Sequence, residues 1–146
     1  MDDSQMLHGY TEYLSNNHSY PGIIYYTEST TSTMDDARFF ASRGAVPGTI
    51  VCTGFQSRGR GRFGDRKWHS PPGENLLFTL LLKKESFPFP HGILPVLTGL
   101  ALAFFCEDNF GFSPSIKWPN DVLYNKKKIA GILCEGDNTF LYCGIG

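Results

Sequence analysis

Between residues 56 and 73 the chain loses all periodicity, reading Gln-Ser-Arg-Gly-Arg-Gly-Arg-Phe-Gly-Asp-Arg-Lys-Trp-His-Ser-Pro-Pro-Gly. Four glycines, two prolines and five lysines or arginines in one stretch cannot sustain a helix or a central strand. Long loops inside compact domains usually carry function. The segments on either side, Thr49 to Phe55 and Asn75 to Leu82, are β-branched or apolar and read as strands. Any fold for this chain must therefore hold a long cationic loop between two strands of its core.

The remaining elements follow from pattern. Ile23 to Tyr26 reads as a strand. Ser32 or Thr33 offers a helix N-cap, with Asp35 and Asp36 in the first turn and a stop at Arg43-Gly44. Gly92 to Asn109 reads as a helix apolar nearly all round and hence buried, with Pro95 tolerated in its first turn. Ser115 to Trp118 and Asp121 to Tyr124 are short strands. Asn125 to Lys127 is a turn. Lys128 to Glu135 and Thr139 to Ile145 form a hairpin around Gly136-Asp137-Asn138. This order predicts an α+β fold with a mixed, largely antiparallel sheet packed against helices. Residues 1–20 read as a flexible lead-in or short helix, and 21–146 as one domain, which suits a length of 146 residues.

Composition narrows the classes. Formal net charge is −1, so no overall field draws the chain to nucleic acid or to a membrane. Cys52, Cys106, Cys134 and Cys143 show neither a C-x-x-C spacing nor a nearby histidine, which argues against zinc. Each sits in an apolar run, as a small hydrophobe does. The first 20 residues lack the basic start and apolar stretch of a signal peptide, and no apolar run reads as long enough to span a bilayer. The expectation is a soluble cytoplasmic protein without disulfides.

Gly59-Arg60-Gly61-Arg62-Phe63-Gly64 matches the glycine spacing of the dinucleotide fingerprint, but that fingerprint needs a helix to begin inside it. Here Asp65 to Gly73 follows, with Pro71 and Pro72, and no helix of useful length can open. Arginines set between glycines do a different job. Glycine lets backbone approach a ligand, and the guanidinium fork matches carboxylate or phosphate. Arg58, Arg60, Arg62 and Arg66 thus suit a small, multiply anionic ligand, and Trp68 offers a flat face for a purine or a guanidinium. A solvated basic loop of the RGG type is the plainer reading of such a run. Concentration of this charge between two apolar strands of a near-neutral chain favours the anion site.

A second cluster is Lys117-Trp118-Pro119-Asn120-Asp121. Pro119 puts Asn120 and Asp121 at a bend. Lys117 is the one charge in a run expected to be buried, which calls for an anionic partner. In Lys128-Ile-Ala-Gly-Ile-Leu133, a lysine starts a strand and Gly131 sits mid-strand, where close approach of a ligand is common. Lys126 and Lys127 read as a solvated hairpin.

Together these segments resemble the catalytic domain of biotin–protein ligases, of the class II aminoacyl-tRNA-synthetase-like biotin/lipoate ligase fold. The resemblance rests on Ser32-Thr33, Gln56, Gly59 to Gly64, Trp68, Lys117 to Asp121 and Lys128 to Leu133, in order, and spans residue 23 to the end. It implies ATP-dependent activation of biotin to biotinyl-5'-AMP and transfer to a lysine of a carboxylase's biotin carrier domain. It implies that Ser32, Thr33, Gln56, Gly59, Arg60 and Gly61 hold the ureido end of biotin. Arg60, Arg62 and Lys128 would face the reacting carboxylate and phosphate, and Lys117 is a further candidate catalytic residue. Trp68 would flank adenine, while Asn120 and Asp121 organise ATP and magnesium, with Asp121 as the metal's carboxylate. Gly131, Gly144 and Gly146 would line the biotin pocket. Met34 stands where the family often has Asn or Gln, and Asp65-Arg66-Lys67 is one residue longer than its usual spacing. The resemblance also implies that the family domain continues beyond Gly146. A homodimer is compatible with it, operator DNA binding is not expected, and a lipoate or octanoate ligase of the same fold, or a biotin-binding homologue without transfer activity, are the alternatives.

Overall fold

The structure, a computed structural model, describes residues 9–14, 22–63 and 66–146. Eight strands form one sheet: β1 (Thr11–Leu14), β2 (Ile23–Thr27), β3 (Ile50–Thr53), β4 (Leu77–Lys83), β5 (Ser115–Lys117), β6 (Asp121–Tyr124), β7 (Lys127–Gly136) and β8 (Phe140–Ile145). Among the described residues two α-helices, α1 (Thr33–Ser42) and α2 (Leu94–Phe110), pack on this sheet in an α+β fold. The strand order is β1-β2-β3-β4-β8-β7-β6-β5. Only β2 and β3 run parallel, and every other neighbouring pair is antiparallel. A parallel pair needs a crossover, and α1 provides it.

Alternation along the central strands sends neighbouring side chains to opposite faces. Leu81 and Tyr142 join Met34, Ala37 and Phe40 of α1, together with Val51, in one buried cluster. Leu141 and Cys143, with Leu80 and Leu82 beside them, join Leu94 of α2, Val122 and Ile132 in the other. The helices therefore cover opposite faces of the sheet. Fully burying one such aliphatic or aromatic side chain contributes about 1.5–3 kcal/mol. The hairpin turns follow local chemistry. Asn125 and Lys126 both take positive φ (48° and 63°), which a two-residue primed turn requires. The Asp137 carboxylate accepts the backbone N–H groups of Thr139 and Phe140, fixing the β7–β8 turn.

Three expectations are corrected. Thr11 to Leu14 is neither lead-in nor helix but an edge strand paired with β2. Four residues are too few for alternation to register in sequence, and the partner strand supplies the order. Residues 1–8 and 15–21 lie outside the described residues. The second correction concerns α2, whose apolar circumference does not mean burial all round. Leu94, Gly99 and Ala103 are buried against the sheet, whereas Leu100, Phe104, Phe105 and Phe110 are exposed. Hydrophobicity ranks a helix for burial, but the number of neighbours decides it. Third, His91–Phe110 is long and apolar enough to cross a membrane by length and composition, contrary to the count of uninterrupted apolar residues. Here its inner face packs on β5, β6 and β7.

Candidate active site

The face of the sheet under α1 changes character along two strands. On β7, residues 135, 133 and 131 share that face, as do 142, 144 and 146 at the β8 end. Glu135, Leu133 and Tyr142 carry side chains, but Gly131, Gly144 and Gly146 do not. Gly131 and Gly146 exchange N–H to C=O hydrogen bonds of 2.7 and 3.1 Å, so the bare patch is rigid backbone. The helix begins at Thr33, so the patch faces Met34 and the Trp68 ring rather than the body of α1. A cavity of about 150 Å³ results. Ser32, Thr33, Met34, Gln56, Thr79, the Arg60–Phe63 loop, Trp68, Asn120, Asp121 and Lys128 are among the residues around it. A Cβ on Gly131 would lie 2.7 Å from the Trp68 ring and from Lys128 Nζ, and one on Gly144 would lie 3.0 Å from Met34 Cε. No side chain fits at these positions without displacing a neighbour.

One end of the cavity is neutral and polar. Ser32 is the helix N-cap by backbone, yet its hydroxyl makes no capping bond. Gln56 caps instead: its Oε1 accepts the Thr33 N–H at 2.8 Å and the Thr33 hydroxyl at 3.1 Å. Thr33 Oγ1 also lies 2.9 Å from Thr79 Oγ1. A loop residue thus satisfies an orphan helix donor, which ties the cationic loop to α1 and leaves Ser32 facing the cavity. Behind this end, buried Asp36 accepts hydrogen bonds from Tyr10 and, at 2.5 Å, from Thr30. Burial pushes the Asp36 carboxyl up from its ordinary value despite those bonds.

The other end is cationic. Lys128 Nζ lies 2.7 Å from Asp121 and 4.9 Å from the centre of the Trp68 ring. Trp68 lies over Gly131 and Gly146, and its Nε1 is buried with no hydrogen-bond partner. An orphaned indole N–H beside a cavity is a donor for a ligand acceptor. Arg62 and Arg66 flank the Phe63 ring at 5.5 and 5.2 Å. The loop folds on itself: Trp68 N–H donates to Gly59 C=O at 2.8 Å and Gly61 N–H to Arg66 C=O at 2.7 Å. Among the described residues of this stretch, 59–63 and 66–73, no helix begins, as the sequence requires.

The structure brings Ser32, Thr33, Gln56, Arg60, Gly61, Arg62, Trp68, Asn120, Asp121, Lys128, Gly131, Gly144 and Gly146 to one cavity. Gly59 is buried against Trp68 beside it. Arg58 is exposed and outside the lining. Lys117 is exposed rather than buried, because β5 is the sheet edge. Its register partner is Asp121, so the two side chains leave the sheet on the same face. Arg60 forms a bidentate pair with Asp35, at 2.9 and 2.7 Å, and lies 3.4 Å from Glu135. Hydrogen bonding from Arg60 holds the Asp35 carboxyl below its ordinary value. Burial raises the Glu135 carboxyl, but Arg38 and Arg60 outweigh it and the net direction is down. Sequence reading missed Thr79, Asp35 and Glu135 as site neighbours. A lone threonine in Leu-Leu-Phe-Thr-Leu-Leu-Leu was the one available signal.

This geometry defines a cleft for an elongated small molecule that is neutral and polar at one end and negatively charged at the other. The chain belongs to the biotin/lipoate A/B protein ligase family, whose model matches residues 24–145. It is 36% identical over 112 residues to the bifunctional ligase/repressor BirA of Bacillus subtilis, covering 77% of this chain and 34% of that protein. It is 32% identical over 122 residues to the biotin–[acetyl-CoA-carboxylase] ligase of Mycobacterium tuberculosis, covering 80% and 46%. The chain thus spans less than half the length of these relatives. Among solved structures it is similar to the Aquifex aeolicus biotin protein ligase in complex with biotin and ATP, with a TM-score of 0.73 and 33% identity over 84% of this chain and 50% of that one. The Leishmania major biotin protein ligase in complex with biotinyl-5-AMP aligns with a TM-score of 0.74 at 33% identity, covering 86% and 56%.

Proposed function

We propose that this chain forms the biotin-activating part of a biotin–protein ligase, joining biotin to ATP as biotinyl-5'-AMP for transfer to a carrier lysine. The observation that carries the reading is the bare floor of Gly131, Gly144 and Gly146, set between a neutral polar end and a cationic end. The Ser32 hydroxyl, the Thr33–Gln56 pair and backbone at Gly59–Gly61 would bind the ureido ring. The glycine floor would take the apolar bicycle and tail.

Activation brings a carboxylate against an α-phosphate, so two anions must meet while negative charge grows. Arg62 and Lys128, preoriented at the cationic end, offset that repulsion and hold attack geometry. Lys117, on the same sheet face as Asp121, would meet the polyphosphate. Trp68 would flank adenine and offer its Nε1–H. Magnesium fits as an ion carried with ATP, since one carboxylate plus phosphate oxygens commonly holds it. Asp121 supplies that carboxylate, and Asn120 anchors the bend by donating from Nδ2 to Ile132 C=O at 3.1 Å. When bound, the ion shields the departing pyrophosphate. Transfer needs no enzyme nucleophile, because the carrier lysine attacks the mixed anhydride. The matching partner is the biotin carrier domain of a carboxylase, and the matching compartment the cytoplasm.

Calorimetric titration with biotin, lipoate as control, followed by ATP–pyrophosphate exchange tests this. Biotin binding with exchange lost in Arg62→Ala and fold retained is expected. Preference for lipoate would move the reading to the lipoate branch of the family, and exchange unchanged by Arg62→Ala would sink the assigned chemistry.

A further inference from the structure

Arg60 and Arg62 look equivalent in sequence, two arginines between glycines, but their surroundings differ. Arg62 meets no carboxylate among the described residues and lies beside Phe63. Arg60 is engaged on all three guanidinium nitrogens. Its Nη1 and Nη2 donate to Asp35 of α1, and its Nε donates to Glu135 of β7. The other Glu135 oxygen accepts from Arg38 of α1 at 2.8 Å. Arg38 in turn lies 4.4 Å from the Tyr142 ring centre, and the Tyr142 hydroxyl donates to Asp137 at 2.6 Å. Two carboxylates and two guanidiniums alternate, so the group is neutral as a whole and Arg60 brings no surplus charge to a ligand.

We propose that Asp35 and Glu135 are positioning residues, an acidic clamp that pins Arg60 and thereby fixes the Gly59–Gly61 backbone as a wall of the cavity. This rests on the functional reading above only for what the wall binds. In the loop ladder Arg60 bridges Lys67 while the hydrogen bonds are made by Gly59 and Gly61 with Trp68 and Arg66. Arg60 is thus in a non-hydrogen-bonded pair, and its own N–H and C=O turn away from the partner strand. Neither makes a hydrogen bond among the described residues. The clamp would hold these two peptide groups, one donor and one acceptor, in the stretch of loop that lines the cavity, a pair that complements a cyclic urea. Arg60 then acts through its backbone and Arg62 through its charge. A single half-exposed ion pair contributes little, but a network linking loop, helix and sheet restricts three elements at once.

The test uses the whole chain carrying Asp35→Asn, Glu135→Gln and both together. The first readout needs no ligand: amide hydrogen exchange at Gly61 and Trp68, whose N–H groups close the loop ladder. The double variant should exchange at these two amides about tenfold faster while β4 and β8 amides keep their protection. The second readout is biotin affinity, weakened about tenfold with the maximal rate of ATP–pyrophosphate exchange nearly kept. Asp35→Glu should restore both. Unchanged exchange at Gly61 and Trp68 in the double variant overturns the clamp, and so does accelerated exchange spread evenly over the sheet. If the unaltered chain fails to bind biotin, the functional reading falls, while the exchange data still decide the clamp.

Discussion

The floor and the loop wall of the cavity are built by opposite means. The floor is made by leaving side chains out. Gly131, Gly144 and Gly146 sit in a hydrogen-bonded ladder between strands that cannot shift without unpairing their neighbours. The wall is made by adding side chains. Gln56 reaches a helix end and Arg60 reaches two carboxylates, while Gly59–Gly61 makes two ladder bonds among the described residues. Shape recognition is thus placed on the stiff part of the molecule. Contacts that must adjust around a ligand are placed on a part held by individually weak bonds.

The largest expected effect breaks the floor. Gly131→Val places a branched side chain where the Trp68 ring and the Lys128 ammonium already lie. Biotin binding should weaken by more than about 100-fold, or roughly 3 kcal/mol, with the far-ultraviolet circular dichroism unchanged. Calorimetry checks this, and retained affinity would mean that the ligand does not touch the floor.

A smaller effect sharpens the joint between floor and wall. Thr33→Val keeps volume but removes the hydroxyl between Gln56 and Thr79, leaving Thr79 Oγ1 buried without this partner. Stability should fall by about 1–3 kcal/mol in chemical denaturation, because a buried polar group loses its bond. Biotin affinity should fall with it, since Gln56 keeps only the Thr33 N–H.

Acidification should separate the two regions with no mutation at all. Asp35 and Glu135 have folded-state values below their ordinary ones. Their contribution is present above the ordinary carboxylate range, about pH 4, and is lost as pH falls through the lowered folded values. Asp36 runs the other way: its raised folded value means that stability is lost as pH rises from the ordinary value through the raised one. Lowering the pH should therefore release the loop wall while favouring the neutral Asp36 knot behind it. Exchange at Gly61 and Trp68 that rises on acidification, after correction for the intrinsic pH dependence of exchange, before β4 and β8 lose protection would show this. Simultaneous loss would show that the two regions are one cooperative unit.

The same contrast explains what could be read from sequence. Gly131 was legible because a glycine inside the apolar strand Lys128 to Leu133 is locally anomalous, whereas Gly144 and Gly146 entered only through the family resemblance. Strands β2 to β8, both described helices and the α+β arrangement were legible because 2.0 and 3.6 periodicities are local, whereas β1 was not. The wall's fastening was not. Arg60 and Glu135 are 75 residues apart, and nothing near either names the other. Lys117 was misjudged for a related reason, as burial depends on β5 being an edge, which its own three residues do not encode. The exposed outer face of α2 was misjudged because an apolar sequence states what a helix tolerates, not which neighbours surround it.

The position of β8 has a consequence for how the molecule comes into being. It comes after the other seven described strands in sequence but lies in the middle of the sheet, between β4 and β7. On a ribosome, β1 to β4 emerge and pair long before it, leaving β4 with an unpaired edge. Gly144 and Gly146 arrive only with β8, so the floor of the cavity stays incomplete until that strand pairs. Such distant pairing slows folding. It also means that the cavity cannot take its shape until β8 has joined the sheet, however early its other sides form.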